Sequence, residues 1–321
     1  MSEAKDHEQR AKVTVQAQQV AVRDGLLDVC LRRLGTTIAD RYRIDELLGI
    51  GGMGAVYRAR NTWAGRDCAL KVFHSAAHQG TSLLKRFLRE AQAANRIQKN
   101  GRLHPNVVDV FDVGKDAESS SVFLVQELLQ GESFATMLER QPERRVSLDA
   151  ALEVLIPLTD AIATAHLSGI VHRDLKPENV FLCAGAEGSP ASAKVLDFGV
   201  SMLRDARMTA RNEILGTPQY LPPEAVYGSG QTDERADVWA LGVILYEALV
   251  GECPFGSAGE PFFKVMHAIA VSDADALPGR TQMAPEAWNI VRRCLAMDPL
   301  ERFPNGLALL RVLTPLQRPG A

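Results

Sequence analysis

The stretch HRDLKPEN occupies residues 172–179, and the triplet DFG follows it at residues 197–199. Together the two stretches place acidic, basic and amide side chains at short and fixed spacings. Each of these polar residues, taken alone, is also explained as a cap within a loop. Their occurrence together and in this order favours a catalytic site over a structural loop.

The residue types in these stretches fit phosphoryl transfer, which depends on metal-held phosphates, an oriented acceptor hydroxyl and charge compensation. Asp174 is suited to accept the proton of the hydroxyl, and Lys176 to neutralise the migrating phosphoryl group. Asn179 and Asp197 offer the oxygen ligands that Mg²⁺ prefers, and Mn²⁺ is an alternative metal. The sequence therefore predicts Asp174 and Lys176 as catalytic residues and Asn179 and Asp197 as metal ligands.

A glycine-rich stretch, GIGGMGAV at residues 49–56, fits the pattern G-x-G-x-x-G-x-V. Glycines allow a hairpin to lie close over phosphate groups, although a purely structural glycine-rich hairpin explains the pattern equally well. A dinucleotide-binding site requires a helix directly after the glycines, whereas VYRA at residues 56–59 continues as a strand. The nucleotide-binding residues predicted here are Leu48, Gly49, Ile50, Gly51, Gly52, Met53, Gly54, Ala55 and Val56.

Lys71 lies in an apolar strand 15 positions after Val56, and lysine is rarely buried without a partner. The predicted helix at residues 84–97 carries Glu90. Each charge alone is more often simply solvated. Together they predict an ion pair that directs the ammonium of Lys71 at phosphate oxygens, so both residues are assigned to the catalytic set.

The distribution of periodic patterns predicts an α+β fold with two lobes and a cleft between them. Predicted strands dominate up to residue 126, and predicted helices dominate after it. The strands are expected at residues 42–44, 55–57, 68–72, 107–113 and 122–126. The helices of the second part are expected at residues 148–168, 233–250 and 285–297.

Residues 1–39 differ from the rest of the chain and are predicted to be a partly disordered extension. Within it Leu27, Cys30, Leu31 and Leu34 recur at helical spacing, so a short amphipathic helix is expected. Two roles stay open for this helix. It packs on the neighbouring domain, or it docks a partner through residues 20–36.

Composition excludes several other classes of function. The net charge of the 321 residues is −3, so nucleic acid is not expected as a partner. The five cysteines form no C-x-x-C pair, which predicts reduced thiols in a cytoplasmic protein. The longest apolar stretch recognised, residues 238–250, is too short to cross a membrane, so no membrane span is predicted.

The two stretches at residues 172–179 and 197–199, together with GGMGAVYRA at 51–59 and HPNVV at 104–108, resemble the protein kinase superfamily. The residues of these motifs are similar to those of bacterial eukaryotic-like (Hanks-type) serine/threonine kinases. Further similarity lies in GTPQY and PPE, at residues 216–220 and 222–224, which resemble the end of an activation segment. Asp237, Trp239 and Gly242 resemble the buried central helix of the large lobe, and Arg302 stands where the family places the ion-pair partner of Glu224.

The resemblance implies a protein kinase domain over residues 40–316, with lobes at 40–126 and 127–316 and a tail at 317–321. It implies ATP and Mg²⁺ as cofactors and proteins with Ser or Thr as substrates. Glu127 and Leu129 are expected to contact adenine through their backbones. The expected contacts of the adenine ring are Val56, Ala69 and Phe181.

Three features depart from the family pattern: Gln126 before the lobe boundary, Ala94 after Glu90, and an insertion at residues 98–103. None of them removes a catalytic group. A pseudokinase that acts as a scaffold stays open as an alternative, as does a small-molecule phosphotransferase. Thr209 is a candidate phosphorylation site within the segment after Asp197.

Overall fold

The structure, a computed structural model, describes residues 25–51, 54–73, 94–185, 192–198, 218–227, 232–257 and 259–317. The chain divides into two compact units. The first comprises residues 1–79 and 111–128, and the second comprises residues 80–110 and 129–321.

Strands are numbered along the chain as β1 Thr37–Ile38, β2 Tyr42–Ile50, β3 Gly54–Asn61, β4 Arg66–Phe73, β5 Gln98–Lys99, β6 Arg102–Leu103, β7 Val110–Lys115, β8 Val122–Gln126, β9 Gly131–Ser133, β10 Val180–Cys183 and β11 Ser192–Val195. Helices within the described residues are numbered as α1 25–31, α2 Phe134–Arg140, α3 Leu148–Leu167, α4 Pro223–Tyr227, α5 Arg235–Val250, α6 Phe262–Ala270, α7 Pro285–Cys294 and α8 Gly306–Leu313. The strand-rich first part and the helix-rich second part that the sequence predicts are both present.

The first unit is built on a six-stranded sheet with the order β1-β2-β3-β4-β8-β7. The pairs β1–β2, β2–β3, β3–β4 and β4–β8 are antiparallel. Along β4, Cys68, Leu70 and Val72 are buried in the core, whereas Ala69 and Lys71 alternate with them and are only half-buried. Period-two alternation thus gives the sheet one core face and one face available for other contacts.

Helix α1 packs on this core, which is the first of the two roles that the sequence leaves open for it. Cys30 is buried, and Leu26 packs against the same cluster. The carbonyl of Cys30 also accepts a hydrogen bond of 3.1 Å from the Tyr57 hydroxyl. Leu27, Leu31 and Leu34 are 40%, 43% and 39% exposed. Of the four residues predicted to share a helical face, Cys30 therefore packs on the domain and the three leucines are exposed, and docking of a partner through residues 20–36 stays a prediction.

The second unit is organised around α3 and α5. Most side chains of α5 are buried on all sides, as expected of a central helix. The helix ends at Gly251, which has φ +92°, and a Cβ there would lie 2.0 Å from the carbonyl oxygen of Glu143. Helix α3 begins at its cap Ser147, whose side chain accepts the N–H of Ala150. Both helices lie close to their predicted bounds.

Helix α3 has the length and the apolar composition of a membrane-spanning helix, with a mean hydropathy of 1.3. The apolar stretch at residues 238–250 is therefore not the strongest candidate for a span. Within the second unit 61% of the most apolar 18-residue stretch of α3 is buried. Burial of this kind is characteristic of the core helix of a folded domain.

Three short segments of the second unit precede or flank the site described below. Strands β9, β10 and β11 form a small sheet in the order β11-β10-β9. The predicted insertion at residues 98–103 is the hairpin β5–β6, which turns at Asn100 and Gly101 with φ +55° and +75°. The strand predicted at residues 107–113 begins only at Val110. Val107 instead forms an isolated parallel bridge with Val195 of β11, so its backbone pairs with a strand of the small sheet.

Candidate active site

The loop that follows α3 is held by a carboxylate from α5. Asp237 is buried, and its Oδ2 accepts the backbone N–H of His172 at 2.8 Å. Its Oδ1 accepts the backbone N–H of Arg173, also at 2.8 Å. Since Asp174 comes next in the chain, these two bonds fix the backbone that presents the predicted catalytic carboxylate.

His166 on α3 supplies a third hydrogen bond to the same carboxylate. The backbone N–H of Gly306 donates to Nδ1 of His166 at 3.0 Å, so the ring proton is on Nε2 and is donated to Asp237 at 2.9 Å. Burial alone would raise the pKa of Asp237. The hydrogen bond from His166 and the other donors outweigh burial and hold the pKa of Asp237 below its usual range.

His172 connects the loop to the segment that carries Asp197. Its Nδ1 accepts the backbone N–H of Asp174 at 3.2 Å, so its Nε2–H donates to the carbonyl of Leu196 at 2.8 Å. The ring also makes an edge contact with Phe198, with 4.7 Å between centroids. Burial lowers the pKa of His172, so the imidazole is neutral and serves as a structural link.

The predicted catalytic residues lie side by side in this loop. Nζ of Lys176 is 3.6 Å from Oδ2 of Asp174. Nδ2 of Asn179 donates to the backbone carbonyl of Asp174 at 2.7 Å and to its Oδ2 at 3.2 Å. The short 3₁₀ turn Pro177–Asn179 brings the amide back toward the aspartate. One acid, one ammonium and one amide therefore converge within a single loop.

Asp197 is brought to the same place by the backbone. The N–H of Leu196 donates to the carbonyl of Asn179 at 2.9 Å, so the two predicted metal ligands are adjacent. Asp197 has φ +58°, a left-handed backbone conformation that costs free energy for a residue with a Cβ. Because the nitrogen of the Asn179 amide is directed to Asp174, its oxygen is the atom left for a cation. An amide oxygen and a carboxylate suit Mg²⁺.

In the first unit, Val56, Ala69 and Lys71 share the face of the sheet opposite to the core. Val56 is the cross-strand partner of Lys71, and Ala69 is the cross-strand partner of Gln126. Gln126 is buried and therefore adds an amide to this otherwise largely apolar face. The sequence analysis expects Val56 and Ala69 to contact adenine and Lys71 to pair with phosphate oxygens.

The glycine-rich hairpin has one position where glycine is required by space. A Cβ on Gly54 would lie 2.3 Å from the carbonyl oxygen of Val72 in the neighbouring strand. The turn before it is closed by mutual backbone hydrogen bonds of Gly51 and Gly54 at 2.8 and 3.3 Å. Leu48 and Ile50 are exposed on the strand that leads into the turn, and Gly49 pairs with Val56.

Several residues with predicted roles lie outside the described residues: Gly52, Met53, Glu90 and Thr209. The predicted pairing of Lys71 with Glu90 thus stays a prediction. Glu127, Leu129 and Phe181 are half-buried, and their predicted contacts with adenine also stay predictions.

The end of the predicted activation segment is fixed by a buried ion pair. Both terminal nitrogens of Arg302 donate to the carboxylate of Glu224 at 2.9 Å, as the sequence predicts. The guanidinium also lies over the ring of Trp239, 4.9 Å from its centroid. Nearby, the Tyr220 hydroxyl donates to Glu247, and burial raises the pKa of that carboxyl.

Sequence reasoning missed two of these positions. No motif contains His166, whose role depends on Gly306, 140 residues further along the chain. Glu247 offered a usable signal, because it is a carboxylate inside the apolar stretch of α5 and such a residue needs a partner. Tyr220 is that partner.

The sequence matches the protein kinase domain family over residues 42–309. It is 34% identical over 278 residues to serine/threonine-protein kinase pkn3 of Myxococcus xanthus, covering 84% of this chain and 48% of that protein. It is 37% identical over 276 residues to Pkn1 of the same organism, covering 85% and 38%. Against PknA of Mycobacterium tuberculosis it is 32% identical over 278 residues, covering 85% and 61%. The chain thus spans between 38% and 61% of the length of these relatives.

Proposed function

The chain belongs to the protein kinase family, and from that premise we propose that it transfers the γ-phosphoryl group of ATP to Ser and Thr hydroxyls of proteins. The observation that carries the proposal is the loop at residues 172–179, in which Asp174, Lys176 and Asn179 converge and are adjacent to Asp197. The three relatives named above are serine/threonine-protein kinases by name. A role in bacterial signalling is part of the same proposal.

Asp174 orients the acceptor hydroxyl and takes its proton as the new bond to phosphorus forms. Its hydrogen bond from Asn179 and its fixed backbone hold the carboxylate in one orientation, so little reorganisation is required during the reaction. The ammonium of Lys176 is 3.6 Å from that carboxylate and would neutralise negative charge that develops on the transferred group.

The first unit supplies the nucleotide contacts. The glycine-rich hairpin would lie close over phosphate oxygens, and Lys71 would pair with the phosphates. Val56 and Ala69, which lie on one face of the sheet, would pack on the adenine ring. Gln126 is the cross-strand partner of Ala69 and adds a polar amide to this surface.

Asn179 and Asp197 are the residues that would hold Mg²⁺, or Mn²⁺ in its place. The metal neutralises charge on the phosphates when it is bound. Asn179 has a second task, because its amide nitrogen restrains Asp174. The same side chain therefore ties the metal site to the residue that takes the proton.

We propose the cytoplasm as the place of action. All five cysteines lie in the described part of the chain and none of them forms a disulfide, which is consistent with a reducing compartment. ATP is also abundant there. Protein substrates are the proposed partners.

The proposal is tested by mapping phosphosites after incubation of the chain with ATP, Mg²⁺ and a generic protein acceptor. The expected result is phosphate on Ser and Thr of the acceptor and of the chain itself, and loss of both in excess chelator. Nucleotide binding without any transfer would favour a scaffold instead. Transfer confined to small molecules would favour a small-molecule phosphotransferase.

A further inference from the structure

Strand β11 ends two residues before Asp197. One of its edges pairs with β10, and residues 106–108 hydrogen-bond to its other edge. The N–H of Val195 donates to the carbonyl of Asn106 at 2.8 Å, and the N–H of Val108 donates to the carbonyl of Val195 at 3.1 Å. The side-chain amide of Asn106 adds a bond of 2.7 Å to the carbonyl of Ala193. The position of β11 therefore depends on this segment as well as on β10.

The segment is itself fixed to α3 through His104. This side chain is fully buried, and its Nδ1 accepts the backbone N–H of Asn106 at 3.2 Å. The ring proton is thus on Nε2, which donates to Oδ2 of Asp160 at 3.1 Å. The same carboxylate oxygen forms an ion pair with Lys99 of the β5–β6 hairpin.

We propose that Asp160 is a positioning residue for the metal ligand Asp197. Asp160 holds His104 on the rigid helix α3, His104 holds Asn106, and Asn106 holds the edge of β11 that leads to Asp197. The role of Asp197 rests on the proposed function. The link between Asp160 and β11 rests on the hydrogen bonds alone.

The buried histidine distinguishes this arrangement from an ordinary surface ion pair. Lys99 is 47% exposed, and the pair of Lys99 with Asp160 alone would contribute little. His104 has no access to solvent, so loss of the Asp160 acceptor leaves a buried N–H without a partner. The segment at residues 104–108 then has to shift, and β11 shifts with it.

The test uses Asp160→Leu, which removes the acceptor, and Asp160→Asn, which keeps an oxygen for His104 but lacks the charge that pairs with Lys99. The matched control is Asp275→Leu, because Asp275 is also a surface aspartate of the second unit and pairs with Arg292 at 3.4 Å. Asn106→Ala is a second route to the same edge of β11. All variants are made in the full chain.

Two measurements are made on each variant. Hydrogen–deuterium exchange of the peptide covering residues 192–198 reports on the amide of Val195 directly and requires no ligand. Titration with Mn²⁺ in the presence of ADP, followed by the electron paramagnetic resonance signal of unbound Mn²⁺, reports on the metal site.

Asp160→Leu and Asn106→Ala are expected to speed exchange in residues 192–198 and to weaken Mn²⁺ binding by roughly 2- to 30-fold, the range for couplings carried through packed networks. Asp160→Asn and Asp275→Leu are expected to stay within about twofold of wild type. Unchanged exchange and unchanged Mn²⁺ affinity in Asp160→Leu would overturn the inference. If wild type itself bound no Mn²⁺ with ADP, the proposed function would fail, whereas the exchange data would still decide whether Asp160 positions β11.

Discussion

The backbone N–H of Arg173 donates a hydrogen bond of 2.8 Å to Oδ1 of Asp237, a side chain that is only 1% exposed. Arg173 has φ +62°, in the left-handed region that costs free energy for any residue with a Cβ. A buried acceptor on the central helix α5 thus stabilises an unfavourable backbone conformation directly before Asp174. The geometry of the predicted catalytic loop therefore depends on a buried carboxylate from another element of the second unit.

Asp237→Asn tests this dependence. The carboxylate accepts from the backbones of His172 and Arg173 and from Nε2 of His166, whereas an asparagine offers a single oxygen. At least one buried donor is left unpaired, which lowers the free energy of unfolding by about 1–3 kcal/mol. Displacement of Asp174 should lower kcat by roughly 10- to 100-fold. Urea unfolding and steady-state kinetics measure the two effects.

The control for that experiment is Asp275→Asn, on the surface of the same unit, which should leave both quantities near wild type. Equal kcat in Asp237→Asn and wild type would show that the loop keeps its geometry without the carboxylate.

Asp174→Asn tests the chemistry itself. Asparagine keeps the size of the side chain and its backbone carbonyl still accepts from Asn179, so the loop should keep its shape. It lacks a strong proton acceptor, and turnover should fall by roughly 10²–10⁴-fold with little change in the KM for ATP. Lys71→Met should remove most transfer as well. Near-normal rates in both variants would contradict the assignment of the active site.

The convergence of Asp174, Lys176 and Asn179 in one loop could be predicted from sequence because the three residues lie within six positions, whereas their catalytic roles stay predictions. The ion pair of Glu224 with Arg302 was also predicted, but only through the family resemblance, since 78 residues separate the partners. Strand and helix periods placed most of the predicted elements within a few residues, whereas α2, α4, α6 and α8 were not predicted. Local pattern was sufficient wherever the element buries one regular face.

The elements whose bounds or buried face differ from the prediction have a common physical cause. Tertiary contacts decide between conformations or faces that the local sequence allows equally. In α1 the predicted face comprises Leu27, Cys30, Leu31 and Leu34, but the sheet packs against Cys30 together with Leu26 and leaves the three leucines exposed. Near residue 107 the β-branched residues allow a strand, but the backbone pairs with β11 instead. The hairpin at Asn100 and Gly101 carried a readable signal, because Asn-Gly favours a two-residue β-turn.

Removal of Arg302 should be strongly destabilising. Its guanidinium is buried, pairs with Glu224 through two bonds of 2.9 Å and covers Trp239. Arg302→Met removes both hydrogen bonds from the buried guanidinium to the Glu224 carboxylate and should lower the free energy of unfolding by about 3–5 kcal/mol. Denaturant unfolding measures this loss. The double variant Arg302→Met with Glu224→Leu should recover part of it, and a double variant as unstable as the sum of the single ones would argue against an ion-pair effect.

Deletion of residues 1–34 tests the packing of α1. The deletion removes Leu26 and Cys30 from the core of the first unit and the acceptor of the Tyr57 hydroxyl. The melting temperature should fall by roughly 5 °C or more. Simultaneous replacement of Leu27, Leu31 and Leu34 by Gln is the matched control and should change it by less than about 2 °C, because these side chains face solvent. A larger fall in the triple variant would place the exposed leucines in a stabilising contact.

The last prediction concerns acid stability and two neutral histidines. Burial lowers the pKa of His104, opposed by the Asp160 carboxylate and assisted by Lys99, and burial lowers the pKa of His172 beside Asp237, Asp197 and Lys176. In the unfolded chain both groups return to about 6.5. Below that pH the unfolded state binds more protons than the folded state, so stability present above pH 6.5 is lost as the pH falls through this range.

Each histidine should therefore contribute a loss of at most about 1.4 kcal/mol per pH unit to the free energy of unfolding below pH 6.5. Denaturant unfolding of the full chain at several pH values between 7.5 and 5 measures the slope. His104→Gln keeps an amide donor for Asp160 but does not titrate, so its slope should be shallower than that of wild type even though its stability at pH 7.5 is lower. Equal slopes for wild type and His104→Gln would mean that His104 takes up no fewer protons in the folded than in the unfolded chain.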